Sequence, residues 1–233
     1  MTRRRFPVGK TLLYVFMSLW ALTTIYPFIW VILNSFKPRG LIRSDTFSLP
    51  IGDKFTLENY VTAFKRVDIG TAYVNSIVIS GAVTVVVMVL AGLAAYAMVR
   101  YSFRLRGFLH SMIIASMMFP VFSTIIPVFR MESSWGIVNT GSIWLTRLSV
   151  VLPQIAGNLS FAIIVLMGFI RSLPVDLEEA AYLEGYNVYQ IFFRIIMPLA
   201  KPSFATVGIF TFLWSYNDLF LQMFFLRSKK FAC

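Results

Sequence analysis

Four stretches of this chain contain no Asp, Glu, Lys or Arg at all. They run from Thr11 to Phe36, Ile69 to Val99, Gly107 to Phe129 and Leu148 to Ile170, and are 26, 31, 23 and 23 residues long. A helix needs about 20 predominantly apolar residues to cross roughly 30 Å of hydrocarbon. A fifth run, from Pro202 to Asn217, reaches that length only by accepting Asp218 and continuing to Leu226. Every backbone N–H and C=O in lipid needs an internal partner, and the alternation of a barrel strand is absent, so the runs predict helices. The expected fold is all-α: one polytopic transmembrane bundle over 1–233. Its five spans fall at about 11–34, 72–98, 108–129, 149–170 and 203–226, with a long connection over 171–201.

Composition supports the same class. The chain is 58% hydrophobic and 13% charged, with a mean hydropathy of +0.75; a soluble domain has roughly 45–50% apolar and about 25% charged residues. This excludes an ordinary soluble enzyme and a disordered chain. A single cysteine, Cys233, excludes an intrachain disulfide scaffold. The net charge of +11 would suggest nucleic acid in a soluble protein. Here the basic residues lie between apolar blocks, which points to lipid and membrane topology and not to nucleic acid. Arg3, Arg4 and Arg5 precede the first run as in a signal peptide, but the run exceeds the ~7–15 residues of such a segment and predicts a retained anchor. Lys and Arg totals on the two sides come out nearly equal. Density favours a cytoplasmic N-terminus, because the first segment and the Arg100–Arg106 turn are short, basic and acid-free.

On that orientation, 171–201 is cytoplasmic. Pro174 suits a first helical turn, and Asp176, Glu178 and Glu179 put negative charge at the positive end of a helix dipole. Ala180 and Ala181 continue a slim surface, and Gly185 permits a break or a close backbone approach. Val188, Ile191, Phe192, Ile195 and Ile196 form a second apolar stripe, ended by Pro198. Two short helices at a glycine corner form either a docking knob for a cytosolic partner or an amphipathic hairpin on the lipid surface.

Enzymatic chemistry has little material here. Gly9-Lys10-Thr11 imitates the end of a phosphate loop, but the first glycine of that motif is replaced by Arg4. One histidine, His110, and one cysteine offer no metal-ligand set, and His110 reads as an interfacial residue. No cofactor is expected. Asp218 is the only acid inside an expected span, with Trp214 and Asn217 beside it. It marks either a substrate path or a solvated position near the outer mouth. Pro120 and Pro127, seven residues apart, and Pro153, at the start of the fourth span, either kink helices around a cavity or serve static packing.

The run Glu179-Ala180-Ala181, three residues, Gly185, nine residues, then Ile195-Ile196-Met197-Pro198 resembles the EAA loop of bacterial ABC importer permeases. Met197 stands where Leu is usual, and Glu184 where Asp often precedes the glycine. Phe55-Thr56-Leu57-Glu58-Asn59-Tyr60, Asn75-Ser76, Ala94-Ala95-Tyr96-Ala97, Trp135-Gly136-Ile137-Val138-Asn139-Thr140 and Asn217-Asp218 narrow the resemblance. They point to the carbohydrate-uptake branch and to the shorter permease of its pair, as in the maltose importer. The resemblance implies a multi-pass subunit of the bacterial inner membrane with a cytoplasmic N-terminus. It also implies a second permease, separate ATPase subunits, an extracytoplasmic solute-binding protein and a sugar substrate. Asp176, Glu178, Glu179, Ala180, Ala181, Glu184, Gly185, Ile195 and Pro198 would then couple the membrane helices to the ATPase. Family members normally have six spans, so five predict a truncated or frameshifted product, impaired or completed by another chain; Lys229 to Cys233 depart from the family pattern. An ion-coupled transporter, a membrane-embedded enzyme and a non-transporting remnant are the rival readings.

Overall fold

A computed structural model describes residues 8–66, 68–138 and 140–226, and all regular structure among them is helical. The basic triplet Arg3–Arg5, Asn139 and the tail from Lys229 to Cys233 lie outside the described residues. The chain forms two compact units, residues 1–69 and 70–233.

In the first unit, α1 (Val8–Ser35) is followed by α2 (Arg39–Ser44), a short 3-10 turn (Gly52–Lys54) and α3 (Glu58–Arg66). Helix α1 is apolar on every side, and most of its large side chains, Leu12, Phe16, Trp20 and Phe28 among them, are exposed, as suits a lipid-facing span. The loops beyond it are tied by polar bonds. Lys37 is fully buried and its ammonium donates to the carbonyls of Asp45 (3.2 Å) and Thr46 (2.8 Å). Asn59 donates to the carbonyls of Ser35 and Lys37, and Phe36 stacks on Phe55 at 5.6 Å. Lys54 pairs with Asp45 at 2.6 Å and holds its carboxyl below the usual carboxylate range.

The second unit is built on two long helices, α4 (Ile69–Arg100) and α7 (Ile143–Ser172). Between them lie α5 (Arg106–Ser116) and α6 (Val121–Ser134). After them come α8 (Asp176–Leu183), α9 (Val188–Ile191), a π-turn (Phe192–Ile196), α10 (Met197–Leu199), α11 (Lys201–Tyr216) and α12 (Leu219–Phe225). Val83, Val87, Ala91 and Ala95 recur every four residues along α4 and are completely buried. They share the core with Ala162, Leu166 and Ile170 of α7 and with Phe204 and Val207 of α11. Two polar pairs join the helices of this unit. Arg147 of α7 donates to Asn75 Oδ1 of α4 (2.6 Å), and Ser215 of α11 donates to Gln154 Oε1 of α7 (2.5 Å).

Among the described residues, three unbroken helices (in α1, α4 and α7) are long and apolar enough to cross a membrane, and the bent pair Val188–Leu199 with Lys201–Tyr216 makes a fourth if it is taken as one span. The third expected span is split into α5 and α6. Pro120 stands at the start of α6 with φ −68° and ψ 123°; it lacks an amide for the helical ladder and biases Phe119 away from helix. The fifth is split at Asn217 into α11 and α12. Pro153 lies inside α7 and does not begin it. Nor does Pro198 end its helix. The π-turn, in which the Met197 N–H donates to Phe192 O, carries the chain through Pro198 to Leu199. The axis then turns by 82° into α11.

At Gly92 the helices approach closely: a Cβ there would come within 2.8 Å of Phe204 Cζ and 2.9 Å of Phe192 Cζ. Gly92→Val should therefore displace two buried rings, and overpacking of this kind costs about 1–3 kcal/mol. Gly81→Ala, where a Cβ meets nothing within 4 Å, should be neutral or stabilising. Thermal unfolding of the two variants in detergent, against the unsubstituted chain, checks this.

Candidate functional site

The glycine elbow is the best-defined site. Helix α8 opens at Val175 without a side-chain cap, so the acids of its first turn supply the favourable charge. It closes in a Schellman arrangement: the Gly185 N–H donates to Tyr182 O and the Tyr186 N–H to Ala181 O, both at 3.0 Å. Gly185 has φ +83°, a left-handed conformation that glycine adopts freely. A Cβ there would meet nothing within 4 Å. The glycine is needed for its backbone angle, and no other part of the described chain packs against it. Asn187 then starts α9 in a capping box: its side chain accepts from the Gln190 N–H, and Gln190 Oε1 accepts from the Asn187 N–H, both at 2.9 Å.

The two faces of α8 differ sharply. Glu178 and Ala181 fall at helical spacing and are buried against the body of the protein, while Tyr182, one turn on from Glu178, is exposed and touches it through its hydroxyl. Glu178 accepts from Tyr96 OH (2.8 Å) and from Arg100 Nε (2.5 Å), while Arg100 Nη2 donates to Leu173 O (2.9 Å). The Glu178 and Arg100 side chains are only 5% and 10% exposed. Tyr182 OH lies 2.9 Å from Tyr101 OH, and the Tyr96 ring packs against Phe192 at 5.6 Å. One buried ion pair thus ties the elbow to the end of α4 and to the π-turn. Sequence reasoning gave Glu178 a helix-dipole role and counted Arg100 as a topology signal; it missed the pair. The opposite face has no cover. Asp176, Leu177, Glu179, Ala180, Glu184 and Leu183 (91%) are exposed. Ile195 is half-buried, Pro198 is exposed, and the neighbouring Ile196 takes the core position.

Trp214, Asn217 and Asp218 each have a local partner among the described residues. Trp214 packs edge-on against Phe161 at 4.8 Å, and Asn217 bonds back to Leu213 O at 2.8 Å. Asp218 Oδ1 accepts from the Leu221 N–H at 3.0 Å and so caps α12. The carboxylate explains the helix break. A second buried acid of the described residues, besides Glu178, is Glu132 on α6, which lines a cavity beside Trp135. Its signal was present: Ile125, Val128 and Glu132 follow helical spacing on one face, two of them apolar.

The all-helical bundle, with a small elbow anchored on one face and bare on the other, defines a membrane permease subunit. The family model of the binding-protein-dependent transport system inner membrane component matches residues 87–231, and this chain belongs to that family of ABC importer permeases. It is a multi-pass membrane protein and a permease component, not the enzymatic one. It is 35% identical over 210 residues to the diacetylchitobiose uptake system permease protein NgcG of Streptomyces coelicolor, over 90% of this chain and 67% of that one. The trehalose transport system permease protein SugB of Mycobacterium tuberculosis is 33% identical over 205 residues, 88% and 72% of the respective chains. The fold matches a chain in the crystal structure of a bacterial ABC transporter involved in import of the acidic polysaccharide alginate. The TM-score is 0.82 and the identity 23%, over 99% of this chain and 79% of that chain.

Removing one partner of a buried ion pair costs about 3–5 kcal/mol, because the other charge is left buried and unpaired. Arg100→Ala should therefore lower thermal stability markedly. Arg100→Glu combined with Glu178→Arg should recover part of the loss shown by each single reversal, as read in a double-mutant melting series.

Proposed function

We propose that this chain is the transmembrane subunit of an ATP-driven importer of small oligosaccharides, worked through the α8 elbow by an ATPase carried on separate subunits. The N-terminus and the elbow lie in the cytoplasm. A second permease completes the translocation path, and an extracytoplasmic binding protein delivers the sugar. Support for the substrate class comes from the relatives, whose names specify diacetylchitobiose and trehalose.

The observation that carries the coupling role is the two-faced elbow. Glu178 is locked inward by Arg100 and Tyr96, while the small, apolar and acidic residues of the other face are bare. A surface held rigidly from behind and uncovered in front transmits force to whatever seats on it. Ala180 and Ala181 keep the helix slim, and Gly185 turns the chain away from the contact. Glu179 and Glu184 present negative charge to a basic partner surface. When nucleotide-bound ATPase subunits close, they carry α8, and the ion pair passes that motion to α4. The cavity then turns from inward- to outward-facing, and hydrolysis resets it.

Glu179→Arg reverses an exposed charge, and Gly185→Asp places a side chain at φ +83°. Both should reduce co-purification of the ATPase and abolish sugar uptake, while membrane insertion stays normal. Full retention of the ATPase with continued uptake would show that docking lies elsewhere. Arg100→Ala leaves the exposed face of α8 unaltered but frees it from α4, so sugar-stimulated hydrolysis should fall further than ATPase co-purification does.

A further inference from the structure

The cavity beside Glu132 is a feature of the second unit that neither packing nor the elbow explains. Its volume is about 490 Å³, within the range of small-molecule sites. It opens where the chain breaks between α5 and α6, against the stretch of α7 around Pro153 and Gly157. Its walls are mainly apolar, with Met117, Phe119, Ile125, Val128 and Leu152 among them. Trp135 lines it too and stays half-exposed. Glu132 is the only carboxylate among the lining residues, and it is 1% exposed. Its Oε2 is enclosed with no hydrogen-bond partner. An isolated buried carboxylate is costly, and a donor entering the cavity would relieve that cost.

We propose that this cavity is a carbohydrate-binding subsite, in which Glu132 accepts a hydrogen bond from a sugar hydroxyl and Trp135 lies against the C–H face of the ring. This inference rests on the carbohydrate reading given above and adds the residues that make contact. The chemistry of the walls selects the ligand class. A metal cation gives up its water only for several oxygen ligands, and one carboxylate in an apolar wall offers too few. A sugar is neutral, donates hydroxyls in abundance and presents an apolar face to an aromatic ring. A purely apolar occupant would leave Glu132 Oε2 as it is, without a donor. The single carboxylate thus fixes orientation, and the apolar wall supplies contact area.

The test uses the complete transporter in cells, with radiolabelled diacetylchitobiose, trehalose and maltose as probes. Glu132→Gln keeps the shape but loses the charged acceptor. It should raise KM about tenfold for the transported sugar, with Vmax and membrane abundance little changed. Trp135→Ala should raise KM comparably, and Trp135→Phe less. A second readout is the reaction of Glu132 with dicyclohexylcarbodiimide, followed by mass spectrometry. The transported sugar should slow this labelling severalfold, and choline chloride should not.

Unchanged KM in Glu132→Gln, or a fall in Vmax alone, overturns the subsite while leaving the importer reading intact. Protection by choline instead of sugar overturns it in favour of a cation site. Uptake of none of the three sugars by the unsubstituted transporter overturns the carbohydrate reading, and this inference with it.

Discussion

The carboxylate of Glu178 holds the glycine elbow to the rest of the second unit. It is buried, it is charged, and it takes hydrogen bonds from Arg100 and Tyr96, two side chains one turn apart near the end of α4. A buried ion pair is weak evidence for stability, since desolvation offsets much of the attraction. What it supplies here is position. Arg100 also reaches the Leu173 carbonyl where α7 ends, so a single guanidinium joins α4, the end of α7 and α8. Leu183, Glu179 and their neighbours can therefore be left bare without the elbow collapsing onto the bundle. The Schellman closure at Gly185 and the capping box at Asn187 serve the same end, satisfying the helix termini locally. No outside group is needed to form the corner.

The long helices were legible because lipid imposes a rule that sequence cannot evade: a span must be apolar for about 20 residues. The charge-free runs accordingly foretold α1, α4 and α7 to within a few residues of their ends. Where the runs misled, the cause was local. Pro120 could have been read as a break, since the residue before a proline avoids helix. Asp218 was weighed between a substrate path and a solvated mouth as the one acid in an expected span; that it also caps α12 was not read from the sequence. The π-turn had no sequence signal. It arises where Phe192 and Ile196 both fill the core while Pro198 follows, a demand visible only in three dimensions.

The elbow was legible as a motif, but its internal division of labour was not. Glu178 and Glu179 are adjacent and look alike to a dipole argument. Helical spacing separates them, since Glu178 shares its face with Ala181 and Tyr182, but nothing in the sequence says which face is inward. That depended on Arg100, which lies 78 residues earlier and reads equally well as a topology signal. Glu132 was overlooked for a related reason. It lies three residues beyond Phe129, the end of a charge-free run, and attention to the run's end obscured the periodicity that crosses it.

The corner at Ala200 has a mechanical meaning. Its two arms meet at 82°, close to a right angle. A thrust along the first arm has almost no component along the second, so α11 can answer it only by pivoting sideways. The geometry is that of a bell crank, in which a stroke in one plane becomes a sweep in another.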